Sequence, residues 1–160
     1  MNDVFIVAAV RTPIGSFGGK LAGFTAVELG IKAVAGALEQ SGVSPDHIQE
    51  VYYGNVISAN LGQAPATQVS IGAGIPNTVP TTVVNKVCAS GMKATMLGAQ
   101  SIMLGHNDLV VTGGMESMSN IPYYIPKARW GYKYGGGEFV DGLERDGLKD
   151  AYGQMAMGVC

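Results

Sequence analysis

Apolar positions near the start of this chain follow two patterns, a continuous run and then a helical period. The run over residues 4–10 has the length of a strand, which predicts a strand buried on both faces. Thr25 and Glu28 have the spacing of a helix capping box, and Gly42 is a typical residue at a helix end, so a helix is predicted between them. Its apolar stripe consists of Val27, Ile31, Val34 and Leu38.

The chain continues to alternate strands and helices up to about residue 118. Strands are predicted over residues 50–57 and 108–112, and the β-branched segment Thr81–Val84 is predicted to be a buried strand. Helices are predicted over residues 65–73 and from residue 89 to about residue 105. Strands separated by helices predict an α/β fold with a parallel or mixed sheet and helices on its faces.

Beyond Ser119 the pattern changes, because prolines, glycines and aromatic residues follow one another without a sustained period. A long surface loop is the simplest interpretation. Exposed aromatic side chains are unfavourable without a partner, however, which favours contact with another subunit or domain. The aromatic residues in question are Tyr123, Tyr124, Tyr132 and Tyr134.

Composition narrows the classes of function. A length of 160 residues fits one domain, and 47% hydrophobic residues can bury a core. The net charge of −2 gives no electrostatic case for binding nucleic acid, and no apolar run approaches the ~18 residues of a membrane helix. Two cysteines without a signal peptide favour a reducing compartment, so a cytoplasmic location is expected.

Cys88 is the main candidate for chemistry, because it falls where a predicted strand turns into a predicted helix. The free N–H groups and the dipole of a helix start favour a thiolate, and the small residues that follow, Ala89, Ser90 and Gly91, leave room for a substrate. This is the arrangement of a nucleophile at a strand–helix turn. The alternative is an ordinary buried cysteine, because the neighbouring side chains are apolar.

The residues around Cys88, Asn-Lys-Val-Cys-Ala-Ser-Gly-Met-Lys-Ala over 85–94, resemble the nucleophilic-cysteine motif of the thiolases. Residues 4–19, 54–68 and 113–120 resemble three further thiolase segments in the family's order. These are the first strand with its loop, the second strand with its helix, and the entry to the loop domain. Four motifs in register make the resemblance specific, and it is strongest to the biosynthetic branch that makes acetoacetyl-CoA.

The resemblance implies an α/β fold, namely a thiolase-like condensing-enzyme half-domain with a mixed sheet, helices on both faces and an incomplete set of strands. Residues 1–118 are then the first part of the thiolase N-terminal domain, and residues 119–160 are the start of the loop domain. Thiolases are much longer, so we expect an N-terminal fragment. The family's Gly-His-Pro and Cys-x-Gly motifs do not occur here, so this fragment alone is expected to be inactive.

The activity implied by the resemblance is a Claisen condensation of two acetyl-CoA to acetoacetyl-CoA and CoA, with the reverse thiolysis. Cys88 is the implied acyl-thioester nucleophile. Met157 matches a methionine that contacts the acyl group in the family, although Ala156 stands where biosynthetic members often carry histidine. No cofactor is implied except coenzyme A as part of substrate and product, and no metal. The implied partners are these CoA compounds and further copies of the chain, in a homodimer or homotetramer.

Two alternatives remain at this point. A degradative 3-ketoacyl-CoA thiolase shares the motifs and differs in the length of the acyl chain that it accepts. A truncated, non-catalytic interaction module shares the fold and pairs with intact subunits without turning over substrate.

Other polar residues have simpler interpretations. Glu116 follows two glycines after a strand, and a single carboxylate there is expected to bond backbone amides or a neighbouring subunit. Lys86 and Lys93 flank the cysteine and are expected to be solvated. His47 is predicted to lie in a capped surface turn and His106 at a helix end, both in structural roles.

Overall fold

A three-stranded parallel sheet forms the centre of the computed structural model, which describes residues 2–159. Its strands are β1 (Glu50–Gly54), β2 (Thr81–Val84) and β3 (Val110–Gly114), arranged in the order β2-β1-β3. Because the strands are parallel, their carboxyl ends meet at one edge of the sheet. In open α/β sheets this is the edge where ligands bind.

The first helix, α1 (Ala26–Ser41), begins and ends as the sequence predicts. The Thr25 hydroxyl accepts a hydrogen bond from the Glu28 backbone N–H at 3.2 Å, and the Glu28 carboxylate accepts one from the Thr25 N–H at 2.8 Å. Gly42 takes the left-handed conformation, with φ of 68°, and ends the helix. The predicted capping box and C-terminal glycine are therefore confirmed.

Helices lie on both faces of the sheet. The two faces can be told apart by Tyr52 and Tyr53, because successive residues of a strand point to opposite sides. A Cβ on Gly98 in α3 (Ser90–Met103) would lie 3.8 Å from Tyr52, whereas one on Gly30 in α1 would lie 3.3 Å from the Tyr53 ring. The second helix, α2 (Pro65–Gly72), packs beside α1 on the Tyr53 side. The main core lies on that side and includes Val27, Val34, Leu38, Val51, Tyr53, Ala66, Val69 and Met115. The predicted α/β fold with helices on both faces is confirmed.

The strand predicted over residues 4–10 is not present, so that prediction is wrong. Phe5, Ile6 and Val7 are 77%, 78% and 63% exposed. Near the end of the segment, the Ala9 N–H donates to the Gln40 side chain at 3.1 Å. An apolar run forms a strand only when a ladder partner lies beside it, and among residues 2–159 no strand pairs with this one.

The third predicted strand, Thr81–Val84, forms as β2, but it is not buried as predicted. Only Val84 is buried, whereas Thr82 and Val83 are exposed. The physical reason is its position as an outermost strand of the sheet, where among the described residues β1 is its one neighbouring strand. A β-branched composition indicates a strand but does not distinguish a central strand from an edge strand.

The bounds of the other strands differ by a few residues from those predicted. The strand predicted over residues 50–57 ends at Gly54, because the backbone N–H groups of Val56 and Ile57 turn to donate to Glu116 rather than to a strand. The strand predicted over 108–112 spans Val110–Gly114 instead.

Residues after Ser119 lack long elements, in line with the change of pattern in the sequence. A short antiparallel pair joins Tyr123–Tyr124 to Val140–Asp141, and a π-helical turn spans Glu144–Leu148. Trp130 and Tyr134 are 79% and 100% exposed. The division into residues 1–118 and 119–160 stays a prediction. Throughout residues 2–159, no helix has the length and apolar character needed to cross a bilayer.

Candidate active site

Cys88 lies in the turn between the end of β2 and the start of α3, at the edge of the sheet where the strands end. Its side chain is exposed, so the alternative of a buried core cysteine is wrong. The first residue of α3, Ser90, follows it by two positions. The thiol is therefore accessible to a reactant from solvent at a strand–helix turn, as the sequence predicts.

The turn contains a backbone conformation that β-branched residues rarely adopt. Val87, directly before the cysteine, has φ of 50°, in the left-handed region. Its N–H donates to the Asn85 side-chain oxygen at 3.0 Å, and its carbonyl accepts from the Ser90 N–H at 3.0 Å and from the Ser90 hydroxyl. The Ser90 hydroxyl oxygen also accepts from the Lys86 N–H at 2.9 Å. These bonds keep the turn in a conformation that it would otherwise leave.

Three glycines allow the start of α3 to approach the sheet. A Cβ on Gly54 would lie 2.6 Å from the backbone nitrogen of Gly91, and one on Gly114 would lie 3.3 Å from the Gly91 Cα. Contacts this short leave no room for a side chain on Gly54. We call Gly54, Gly91 and Gly114 the glycine seat. It places the turn of Cys88 against the ends of β1 and β3.

Glu116 organises the loop that follows β1. Its carboxylate accepts hydrogen bonds from the Val56 N–H at 2.9 Å, the Ile57 N–H at 3.3 Å and the Asn55 side-chain amide at 3.1 Å. Burial raises the pKa of Glu116, and the hydrogen bonds from Val56, Ile57 and Asn55 act in the opposite direction. The expectation that this carboxylate bonds backbone amides is confirmed.

Two neighbouring depressions lie at this edge of the sheet. The smaller one, of about 280 Å³, contains Cys88 and Glu116 in its lining. The larger one, of about 640 Å³, contains Met157. Val56 and Val87 line both depressions and separate them. The structure therefore places the two predicted site residues in adjacent spaces and not in one cavity.

Polar side chains, among them Tyr124, Asp146 and Lys149, line part of the larger depression. The Tyr124 hydroxyl donates to the Asp146 carboxylate at 2.6 Å, and this hydrogen bond is the main cause that raises the pKa of Tyr124 to about 12. Lys149 forms an ion pair with Glu144 at 3.2 Å. Met157 is half exposed, and its backbone N–H donates to the Leu148 carbonyl at 2.8 Å.

Neither histidine lines either depression. His47 ends a 3₁₀ turn (Pro45–His47) in which Ser44 makes no side-chain cap, so the predicted cap is absent although the turn is present. His106 lies just beyond the end of α3. Within the part of the chain that the structure describes, no three His, Cys, Asp or Glu side chains cluster in a way that could hold a metal ion. Cys160 lies outside the described residues.

Residues 4–160 match the family model described as thiolase, N-terminal domain. The chain belongs to the thiolase family. The predicted family is therefore confirmed by a match over nearly the whole chain.

Several relatives of this thiolase chain carry the name acetyl-CoA acetyltransferase. The one from Schizosaccharomyces pombe is 60% identical, over 98% of this chain and 40% of its own length. One from Gibberella zeae, named as cytosolic, is 55% identical over 99% of this chain and 40% of its own length. One from Mus musculus, named as mitochondrial, is 52% identical over 100% of this chain and 37% of its own length. The thiolase chain thus spans about 40% of the length of the curated relatives it matches.

A solved structure agrees with the fold. It is the crystal structure of Acat5 thiolase from Ascaris suum in complex with coenzyme A, 46% identical to this chain with a TM-score of 0.94. The likeness covers 99% of this thiolase chain and 41% of that chain. The fold seen here is therefore that of the corresponding part of a thiolase.

The sequence did not predict the glycine seat or the side-chain bonds of Asn85, and it predicted that Glu116 bonds backbone amides without identifying Val56 and Ile57 as the partners. Part of a signal for the seat was present, because Gly114 follows the strand predicted over residues 108–112 and Gly91 follows Cys88, whereas Gly54 falls inside the strand predicted over residues 50–57. No comparable signal existed for the bond from Asn85 to Val56 or for the partners of Glu116, since these residues lie 29 or more positions apart along the chain.

Proposed function

We propose that this protein is an acyltransferase that condenses two molecules of acetyl-CoA to acetoacetyl-CoA and CoA, and that also catalyses the reverse thiolysis. One observation carries the proposal: an exposed thiol lies at a strand–helix turn, where the carboxyl ends of the parallel strands meet, in a chain of the thiolase family. The acetyl specificity is supported by the names of its relatives.

In the first step, the Cys88 sulfur attacks the thioester carbonyl of acetyl-CoA. A carbon–sulfur bond forms to the enzyme, the bond to the CoA sulfur breaks, and CoA leaves with a proton. The amino end of α3 carries a partial positive charge beside Cys88, and it stabilises negative charge that develops on the carbonyl oxygen. Sulfur suits this role because it is both a good nucleophile and a good leaving group.

In the second step, another acetyl-CoA loses a methyl proton, and the resulting carbanion attacks the acetyl-enzyme. A carbon–carbon bond forms, the Cys88 sulfur is released, and acetoacetyl-CoA leaves. The family resemblance assigns the proton transfers to a histidine and a second cysteine in motifs that are not among these 160 residues. The reaction needs no metal or redox cofactor, and coenzyme A enters only with substrate and product.

Met157 is proposed to contact the acyl group from the larger depression. Its half-exposed thioether lies across the shared wall of Val56 and Val87 from the cysteine. A flexible, apolar thioether suits a short acyl chain. Replacement by alanine in the intact protein is expected to raise the KM for acetoacetyl-CoA more than it lowers kcat.

Assembly and location are also proposals. The exposed aromatic residues Trp130 and Tyr134 support a homodimer or homotetramer, because large apolar surfaces are usually covered by a partner. A cytoplasmic location is proposed, and the relative named as cytosolic supports it while the one named as mitochondrial does not. Sedimentation of the intact protein and cell fractionation test these two points.

The test of the function is Cys88→Ser in the intact protein. Loss of CoA-dependent cleavage of acetoacetyl-CoA is expected, because a serine hydroxyl ionises far less and is a poorer leaving group. Iodoacetamide is expected to label Cys88 much faster than Cys160 in peptide maps. Activity near the parent's level after the substitution would contradict the mechanism. Cleavage of long-chain but not four-carbon substrates would indicate a degradative thiolase instead.

A further inference from the structure

We propose that Asn85 is a positioning residue for Cys88, an inference that rests on the function proposed above. Its side chain ties the turn that carries the thiol to the loop that follows β1. Asn85 does not itself touch the reacting atoms in this proposal. It acts by keeping the cysteine backbone in one place.

Both the oxygen and the NH₂ group of the Asn85 side chain form hydrogen bonds. The side-chain oxygen accepts from the Val87 N–H at 3.0 Å, within the turn. The side-chain NH₂ donates to the Val56 carbonyl at 3.1 Å, across to a segment 29 residues earlier in the chain. An asparagine that only shaped its own turn would need the first bond and not the second.

The far end of this connection is itself fixed. The Val56 N–H donates to the Glu116 carboxylate at 2.9 Å, and Asn55, which is 1% exposed, donates to the same carboxylate and to the Met115 carbonyl. The carbonyl that accepts from Asn85 therefore belongs to a loop that is hydrogen-bonded to Met115 and Glu116, the two residues after β3. Hydrogen bonds therefore connect the segments that follow β2, β1 and β3, beside the turn that carries the thiol.

The turn needs such a connection because of Val87. A β-branched residue in the left-handed region costs about 1–3 kcal/mol, so the turn would relax if its bonds were removed. Cys88 is the next residue, and a change in the Val87 dihedrals moves its sulfur directly. Misplacement by about 1 Å can lower a reaction rate about 100-fold.

Three variants of the intact protein separate positioning from general stability. Asn85→Ala removes both bonds, whereas Asn85→Ser keeps an acceptor for the Val87 N–H and removes the connection to Val56. Asn107→Ala is the matched control. Asn107 also makes two side-chain bonds, to Glu50 at 2.7 Å and to Ser101 at 2.6 Å. These bonds lie where β1 begins, at the other end of the strands from Cys88.

The measurements are kcat and KM for thiolysis of acetoacetyl-CoA, the rate of Cys88 alkylation by iodoacetamide, and Tm. For Asn85→Ala we expect kcat to fall at least about 10-fold, KM to stay within about two-fold, and the alkylation rate to change. The kcat and the alkylation rate of Asn85→Ser are expected to lie between those of Asn85→Ala and those of the parent. Asn107→Ala is expected to lower Tm and to leave kcat and alkylation within about two-fold of the parent's values.

The proposal is overturned if both Asn85 variants keep the parent's kcat and alkylation rate, or if activity in all three variants follows Tm alone. If Asn85→Ala does not fold, Asn85→Ser decides by the same criteria. Failure of the proposed function is distinguishable, because Cys88→Ser would then remain active. The alkylation rates would still report whether Asn85 positions the thiol.

Discussion

Gly54 at the end of β1 lies against Gly91 in the first turn of α3, with space for a hydrogen atom but not for a methyl group. A Cβ on Gly54 would be 2.6 Å from both the Gly91 nitrogen and the Ser90 carbonyl carbon. These are backbone atoms, which cannot rotate away as the end of a side chain does. The contact therefore sets how closely the helix start, and with it the thiol, approaches the sheet.

Gly54→Ala is expected to push the start of α3 away from the sheet. We expect a loss of about 1–3 kcal/mol in the free energy of unfolding, measured by urea denaturation, and a changed rate of Cys88 alkylation. Gly23→Ala is the control, because a Cβ there meets nothing within 4 Å and its φ is not in the left-handed region. Equal behaviour of the two variants would refute the close contact.

Val87→Gly is expected to stabilise the protein, although it removes an apolar side chain. Glycine adopts φ of 50° without steric cost, whereas valine there is disfavoured by about 1–3 kcal/mol, and half of the Val87 side chain is already exposed. Val83→Gly, in the extended edge strand, is the control and is expected to destabilise. Thermal melts of both variants provide the comparison, and a Val87→Gly variant as unstable as the control would contradict the strain.

Glu116 predicts a pH dependence of stability. Burial raises the pKa of its carboxyl above the ordinary value of 4.5, so the folded state holds this proton more tightly than the unfolded state. The stability that results is present at acid pH and is lost as the pH rises through the raised pKa. The advantage of the parent over Glu116→Gln in unfolding free energy should therefore shrink as the pH rises from 4.5 towards neutrality. Urea melts across this range test the sign, and an advantage that grows with pH would contradict it.

The pair of Tyr124 and Asp146 predicts a second pH effect, at the alkaline end. The pKa of Tyr124 is raised from 10.0 to about 12, so the stability that the pair contributes is present below pH 10 and is lost on the way to about 12. In Asp146→Asn the tyrosine should ionise closer to its ordinary value. Tyrosinate absorbance, with Tyr124→Phe subtracted to isolate this group, measures the shift. Superimposable titrations of the parent and Asp146→Asn would rule out the coupling.

Features that depend on neighbouring residues could be predicted from the sequence. The capping box of Thr25 and Glu28 and the end at Gly42 were predictable because each depends on side chains within one helical turn or on one backbone angle. The exposure of residues 4–10 and of Thr82 was not predictable in the same way. Whether an apolar or β-branched run is buried depends on which strands lie beside it, and composition does not contain that information.

In the candidate site, too, features set by nearby residues could be predicted and features set by strand pairing could not. Cys88 could be found from its motif and from the strand–helix turn. The bond from Asn85 to Val56 could not, because its two residues are 29 positions apart and meet only when β1 and β2 pair in register. Glu116 and Val56, which are 60 positions apart, depend in addition on the pairing of β1 with β3.

These distances along the chain also imply an order of assembly. The bonds that start α1 join residues three positions apart, so this helix can begin to form before any tertiary contact exists. The bonds from Glu116 to the loop after β1 must wait until a 60-residue loop has closed. We therefore expect the surroundings of Cys88 to be among the last parts of this region to become ordered. During that interval a newly made chain carries its thiol on a mobile segment, without the helix start and the hydrogen-bonded turn that surround it in the folded protein.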